Sequence, residues 1–435
     1  MKLKSLYSLF LLLVFVPKIQ SQALLKLEDA VKIALENNYD IKLAKNELTV
    51  DELNNTIGNA GMLPTINATV VNNNSILNTT QTQADGSERT LDGARNMNLT
   101  YGVGLDWTVF DGMRMFARKE QLNILQKQGE AELKLAILTR ISDVYLNYFD
   151  LVQQQQQLAA IDTAIVISQE RVNTAQNRFS IGKASKLEVL NAQVDLNSDK
   201  SLQLKQQELI KTTKIRLNEI LARDVQTDFT VTNEISVDEQ LKYDDLKSSA
   251  DSQNPQLQAQ LLTKNSAEQQ LKQVKAGRYP TVRITSGYNF TRSEASLGFV
   301  TQSSGRGLVY GINASVPIFN GNLQNRNEKI AKVQLENANI TLEQQKRSLE
   351  SQLNSAFTSY ITNLELSKVE AKNLEIAKQN LDITLAKFKI GTITPIEFRT
   401  AQQNFLDARV RYSNAMYLTK IYEITLKELA GNLSF

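Results

Sequence analysis

Asn177–Gln193 reads NRFSIGKASKLEVLNAQ, and Ala386–Gln402 reads AKFKIGTITPIEFRTAQ. Phe179 matches Phe388, Ile181 matches Ile390, Gly182 matches Gly391, Glu188 matches Glu397, and Ala192-Gln193 match Ala401-Gln402, all at an offset of 209 positions. Self-similarity at one fixed offset marks a duplicated structural unit. In both copies a glycine separates two helix-periodic stretches, so each copy reads as a helical hairpin. Gly182 and Gly391 are expected to adopt backbone angles that a side chain would penalise by about 1 kcal/mol.

Upstream of the first turn, Leu151, Leu158, Ile165, Val172 and Phe179 recur every seven residues. Their counterparts are Tyr360, Ser367, Leu374, Leu381 and Phe388. This is a coiled-coil seam in the same register twice. Downstream of the second turn, Phe398, Ala401, Phe405, Ala408, Tyr412 and Ala415 alternate large with small at spacings of three and four, as an interdigitating seam requires. The long helices are expected over Met113–Ile181 and Asn322–Ile390, each roughly 100 Å at 1.5 Å per residue. Shorter helices are expected over Leu27–Met62 and Asp244–Gly277, stopped by Pro64 and Pro280. The run of five glutamines at Gln153–Gln157 lies inside the first seam and reads as a solvated helix face rather than a low-complexity tract.

Between the short and long helices the period falls to two. In LTYGVGLDWTVF, Leu99, Tyr101, Val103, Leu105, Trp107 and Val109 share one face. In LVYGINASVPIF, Leu308, Tyr310, Ile312, Ala314, Val316 and Ile318 do the same. The partner strands are expected near Thr65–Asn74 and Thr281–Arg292. Strands of about ten residues suit a tilted crossing of a bilayer, and Tyr101, Trp107, Phe110, Tyr288, Phe290 and Phe319 stand where interfacial aromatics serve. Four strands would leave edge groups unpaired in hydrocarbon, so other copies must complete the barrel. The GVG of Gly102–Gly104 lacks the third glycine and following helix of a dinucleotide-binding turn, and reads as glycine on a crowded barrel interior.

The N-terminus carries Lys2 and Lys4, an apolar run from Leu6 to Val16, then Ser21 and Ala23, the pattern of a cleaved secretory signal ending after one of those small residues. There is no Cys and no His, which excludes disulfides, thiolate metal sites and most hydrolase or zinc constellations. With 49 Lys and Arg against 46 Asp and Glu, the near balance of charge offers nothing to a nucleic acid. No enzyme activity, metal or cofactor is expected.

Two motifs flank the strands: LP or YP before one, and VFDG (Val109–Gly112) or IFNG (Ile318–Gly321) after another. With the Phe-x-Ile-Gly turns, and in the same order twice, they make the chain resemble the TolC-like outer-membrane efflux protein family. The resemblance implies a mainly α fold with a membrane β-barrel, in which long coiled-coil hairpins and four strands per chain close as a homotrimer with twelve strands and a periplasmic helical tunnel. It divides the chain into a signal peptide (1–22), a first repeat (23–222), an equatorial linker (223–242) and a second repeat (243–435). It implies an exit duct in the outer membrane, in contact with lipid, that works with a periplasmic adaptor (membrane fusion) protein and an inner-membrane efflux pump or ABC exporter. The adaptor is expected to dock on the turns, at Gly182, Lys183, Ala184, Gly391, Thr392 and Ile393. Glu397 occupies the first acidic position that narrows the aperture in this family, with Glu188 as its repeat partner. Thr400 stands at the second acidic position and Ile393 at a basic one, departures from the family's pattern. The alternative is a structural coiled-coil surface protein anchored by a barrel.

Overall fold

The computed structural model describes residues 23–433; the expected signal peptide lies outside them. In chain order come β1 (Ala23–Leu25), α1 (Leu27–Asn37), α2 (Tyr39–Asn54), β2 (Thr65–Thr82), β3 (Glu88–Asp111), α3 (Arg114–Ser180) and α4 (Lys186–Ile220). Then follow β4 (Phe229–Val231), α5 (Tyr243–Gln253), α6 (Pro255–Ala276), β5 (Thr281–Ala295), β6 (Gln302–Ser315), α7 (Leu323–Lys389) and α8 (Pro395–Leu429). α3 and α7 each have 67 residues, and α4 and α8 each have 35. Contacts divide the chain into two compact units. One holds Ala136–Asn254 with the segments up to Lys42 and from Leu349; the other holds Leu43–Leu135 and Pro255–Ser348.

Each expected short helix is broken once, at an asparagine. Asn38 accepts from the backbone N–H groups of Asp40 (2.9 Å) and Ile41 (3.3 Å) and donates to the carbonyl of Ile220 (2.8 Å), so it starts α2 rather than continuing α1. Asn254 stands before Pro255 and donates to the carbonyl of Leu429 at 3.0 Å. At Asn38 the break follows from a side chain that competes with helix backbone for hydrogen bonds, and at Asn254 from Pro255, which keeps the residue before it extended. α2 also stops at Asn54 instead of reaching Met62. There Asn59 donates to the Asn54 carbonyl (2.9 Å) and its N–H bonds the Thr56 hydroxyl (3.1 Å), so a string of Asn, Thr and Gly ends the helix before Pro64 does.

The core of the first unit gathers Val31, Ala34, Val144, Tyr148, Leu151, Leu217 and Phe229. Phe229 reaches it from the segment between the repeats, because β4 pairs in parallel with β1, Ala23 opposite Phe229 and Leu25 opposite Val231. Tyr148 ties the two strands further, its hydroxyl bonding the Leu25 carbonyl (3.1 Å) and the Thr232 hydroxyl (3.0 Å).

In the second unit an antiparallel sheet runs in the order β2-β3-β5-β6. All four strands are longer than the ten residues expected, and β2 and β3 are the longest because they continue past β5 as a two-stranded ribbon that turns at Asp85-Gly86, where Gly86 has φ 81°. At its other end β6 is shorter than read. It stops at Ser315, because Pro317 has no N–H for the ladder, so Val316, Ile318 and Phe319 lie beyond the strand. One face carries Ile66 and Val70, then Tyr101, Val103 and Leu105, then Ile284 and Tyr288, then Leu308, Tyr310 and Ile312. The opposite face carries Asn67, Thr69, Gly102, Gly104, Thr285 and Gly287. The apolar band is exposed in the chain by itself: Val70 at 75%, Ile312 at 76% and Tyr310 at 79%. Gly102 is required by a close approach, since a Cβ there would lie 2.4 Å from the carbonyl of Tyr288. Among the described residues no helix is long and apolar enough to cross a membrane.

Candidate functional site

The two turns have the same backbone. α3 ends when Gly182 (φ 74°) donates to the Phe179 carbonyl at 3.0 Å and Lys183 donates to the Arg178 carbonyl at 2.7 Å. α7 ends when Gly391 (φ 77°) donates to Phe388 at 3.0 Å and Thr392 donates to Lys387 at 3.0 Å. This double bond pattern, with glycine in the left-handed region, satisfies helix-end carbonyls that otherwise stay unpaired. The next helices open on hydroxyl caps, the Ser185 and Thr394 side chains each accepting from the N–H of the residue three ahead at 3.3 Å. Gly182, Lys183, Gly391 and Thr392 are exposed; Ala184 and Ile393 are half-buried.

The acidic pair is held in two different ways. Glu397 closes a capping box: its Oε2 accepts from the N–H of Thr394 at 3.0 Å, and the side chain is exposed. Glu188 leaves the Ser185 N–H alone and faces the Arg178 guanidinium at 3.7 Å. The aromatic at the end of each long helix differs as well. Phe388 is 2% exposed and stacks on Phe398 with ring centroids 4.8 Å apart. Phe179 is 38% exposed, with the Lys186 ammonium 5.6 Å from its centroid.

Towards the turns the buried line on α3 departs from the expected one. Leu151 is fully buried, but further on the buried residues are Ala160, Ala164, Ser168, Arg171 and Ala175, while Leu158, Ile165 and Val172 are half-buried and Phe179 is exposed. The reason is a polar network shared by α3, α4 and α8, which needs small neighbours to bring the helices close. Arg171 pairs with Asp195. Asp199, 2% exposed, accepts from the Ser168 hydroxyl at 2.5 Å and from both terminal nitrogens of Arg399 at 3.1 and 3.2 Å. Gln402 donates to Ser168 (2.9 Å) and to the Ala164 carbonyl (3.0 Å). Beside this network a groove of about 450 Å³ runs between α4 and α8, with Glu188, Asp195, Phe388 and Ile396 on its walls. The network went unread in the sequence, although a signal was there: Asp199 follows Ala192 and Leu196 at core spacing, a carboxylate in a seam.

The glutamine run is another correction. Gln153 and Gln154 are buried, not solvated. Gln153 donates to Asn414 (3.1 Å) and Gln154 to Thr213 (2.9 Å), so the run joins helices through amide N–H groups that find partners on α8 and α4. Of the six aromatics, Tyr101 and Phe290 stack across β3 and β5 at 5.0 Å, with Tyr288 edge-on to Phe290 at 5.4 Å. Trp107 donates its indole N–H to the Met62 carbonyl at 2.9 Å, Phe110 is half-buried near the end of β3, and Phe319 is exposed past β6.

The sequence family described as outer membrane efflux protein matches residues 30–223 and 246–432, nearly the whole described chain and in two blocks. The chain belongs to the outer membrane efflux protein family. It is therefore a protein of the outer membrane, and its helical part belongs in the periplasm. Outer membrane protein TolC of Escherichia coli is 26% identical over 196 residues, which are 42% of this chain and only 39% of that relative. TolC of Vibrio cholerae is 21% identical over 296 residues, 66% of each. In three dimensions the chain is similar to the Campylobacter jejuni CmeC outer membrane channel, with a TM-score of 0.79 at 18% identity over 93% of this chain and 85% of that one. The fold is thus that of this family of outer-membrane channels.

Proposed function

We propose that the protein is the exit duct of a tripartite efflux or type I secretion system, conducting passively what an inner-membrane pump and a periplasmic adaptor deliver. The observation that carries this reading is the four-stranded sheet with one exposed apolar face, one face of Gly, Asn and Thr, and unpaired edges at β2 and β6. An apolar outside and a polar inside are what a barrel around a water-filled channel requires. Lipid cannot satisfy open strand edges, so several copies close the barrel, three by analogy with the family. The chain then reads as a signal peptide (1–22), two repeats (23–222 and 243–435) and a linker (223–242).

In this reading the adaptor docks on the two turns, at Gly182, Lys183, Ala184, Gly391, Thr392 and Ile393. Their matching backbones give a partner the same footprint twice per chain. Glu397 and Glu188 line the aperture, and Tyr101, Trp107, Phe110, Tyr288, Phe290 and Phe319 sit at the membrane interface. Two measurements test the duct. The purified protein reconstituted in planar bilayers should open discrete cation-preferring channels, and Glu397→Gln, which keeps the capping box but removes the charge, should lower that preference and weaken block by multivalent cations. Bulky substitutions at Lys183, Ala184, Thr392 and Ile393 should reduce export while leaving assembly intact. Absence of any conductance would overturn the duct; unchanged selectivity in Glu397→Gln would return that residue to helix capping alone.

A further inference from the structure

The basic residues of the four long strands are Arg89, Arg95, Arg283, Arg292 and Arg306, with no lysine among them. Arg283 lies on the face of Gly, Asn and Thr, 3.5 Å from Asp106. Arg95, Arg292 and Arg306 lie on the apolar face, since Arg292 follows Phe290 by two residues, Arg306 precedes Leu308 by two, and Arg95 keeps the alternation of Met97 and Leu99. We propose that these three arginines form a site on the outside of the barrel for the phosphate groups of a glycolipid in the outer leaflet of the membrane. The inference rests on the reading of the sheet as a barrel wall, and adds to it a lipid headgroup that this wall recognises.

Position along the strands supports the site. The helices join the sheet where β3 leads to α3 and β5 follows α6, so in an outer-membrane protein with periplasmic helices the arginines stand at the opposite, external end. From Ala314 to Arg306 and from Val282 to Arg292 the strands run eight and ten residues. At about 3.4 Å per residue and a tilt of about 40°, those stretches climb roughly 21 and 26 Å, which brackets the apolar band of about 25 Å in such barrels. The guanidinium groups therefore reach the headgroups of the external leaflet, where an arginine on the lipid face costs little, while their stems lie on the apolar band. At the periplasmic edge of the same face stand Trp107, Val282 and Ala314, none of them basic, so the positive charge marks one leaflet.

The spacing and the residue type suit phosphate. Arg306 stands opposite Phe290, two residues before Arg292 on the same face, so the two arginines are diagonal neighbours on adjacent strands, with Cβ atoms about 7 Å apart. Two long guanidinium side chains can close on one phosphate between them, and arginine rather than lysine has the planar fork that pairs bidentately with it. All three arginines are exposed, and among the described residues neither Arg95 nor Arg306 has an ion-pair partner. Arg292 donates to Oε1 of Glu294 at 2.7 and 3.0 Å, an oxygen that also accepts from Gln302 at 3.2 Å; this orients the guanidinium and leaves its Nη1 for a ligand. Three guanidinium groups against one carboxylate keep the patch positive. Beside them a recess of about 840 Å³ is bordered by Asn74, Arg95, Met97, Glu294 and Gln302, room for a phosphorylated sugar rather than a bare anion.

The test compares two probes on the full-length protein in a neutral detergent: a diphosphorylated glycolipid and the same glycolipid stripped of its phosphates. Native mass measurement should show the phosphorylated form retained about tenfold better, as charge-assisted hydrogen bonds provide. Arg292→Gln with Arg306→Gln should abolish that preference, and Arg292→Lys with Arg306→Lys should keep only part of it, because an ammonium lacks the fork. Arg283→Gln, on the opposite face, should leave it unchanged. Equal retention of the two glycolipids by the parent would overturn the site, and this comparison needs no variant to assemble. An unchanged preference in the Gln pair would overturn the assignment to these arginines. Displacement of the glycolipid by millimolar inorganic phosphate would assign the patch to free anions and overturn the lipid. Conductance in planar bilayers keeps the duct a separate question. The Gln pair should conduct as the parent does, whereas a parent that retains the phosphorylated lipid without conducting would overturn the duct and leave the site standing.

Discussion

The two hairpins share a backbone and differ in what anchors it. Both turns end in the same left-handed glycine with the same pair of backbone bonds, yet the second is fastened by a stacked Phe388 and Phe398 with a capping box, and the first by charges. Arg171, Asp195 and Asp199 of the first hairpin correspond to Asn380, Asn404 and Ala408 of the second, so the ion-pair network has no copy there. Instead the second hairpin lends Arg399 to the first. Duplication thus preserved the fold of the turn, which glycine and hydroxyl caps dictate locally. The side chains diverged where the two hairpins face different neighbours.

The comparison can be broken most directly at the aromatics. Phe388→Ala removes a buried stacked ring and should cost about 3 kcal/mol or more, while Phe179→Ala, on an exposed ring, should cost about 1 kcal/mol or less. Amide exchange in α7 and α8 against α3 and α4 measures the difference, and equal effects would mean that the two anchors are interchangeable.

Next in size is the network. Arg399→Leu leaves Asp199 buried with only Ser168 as partner, and should cost about 2 kcal/mol, less than a wholly buried pair because Arg399 retains 24% exposure. Loss of amide protection in α4 as well as α8 is expected. Protection lost from α8 alone would show that Arg399 does not bridge the hairpins.

Gly182→Ala and Gly391→Ala should each cost about 1 kcal/mol, and by the same amount, because both glycines have positive φ and open space around the missing Cβ. Unequal costs would show that the turns differ in backbone demand after all. The smallest effect separates the caps: Thr394→Ala should cost about 1 kcal/mol and also release the Glu397 carboxylate, while Ser185→Ala should cost somewhat less, since Glu188 stays on Arg178. Hydrogen exchange at the first turns of α4 and α8 reads both.

Much of this architecture was legible in the chain itself. The glycine turns, the period of seven along α7 and the alternation in β3 and β6 are local patterns, set by steric limits on φ and by which face of an element must avoid water. The departures are local too where Pro317 ends β6, where Pro255 keeps Asn254 out of the helix, and where Asn38 bonds the N–H groups just ahead of it. What sequence pattern could not decide is where a polar residue in a seam finds its partner. Asp199 meets an arginine 200 positions away on another hairpin, and Gln153 and Gln154 are buried because Asn414 and Thr213 come to meet them. Periodicity states which face of a helix is inward; only the tertiary structure brings together the distant groups that make it possible to bury charge and amide there, because an ion or amide leaves water at tolerable cost only when its partner is already in place.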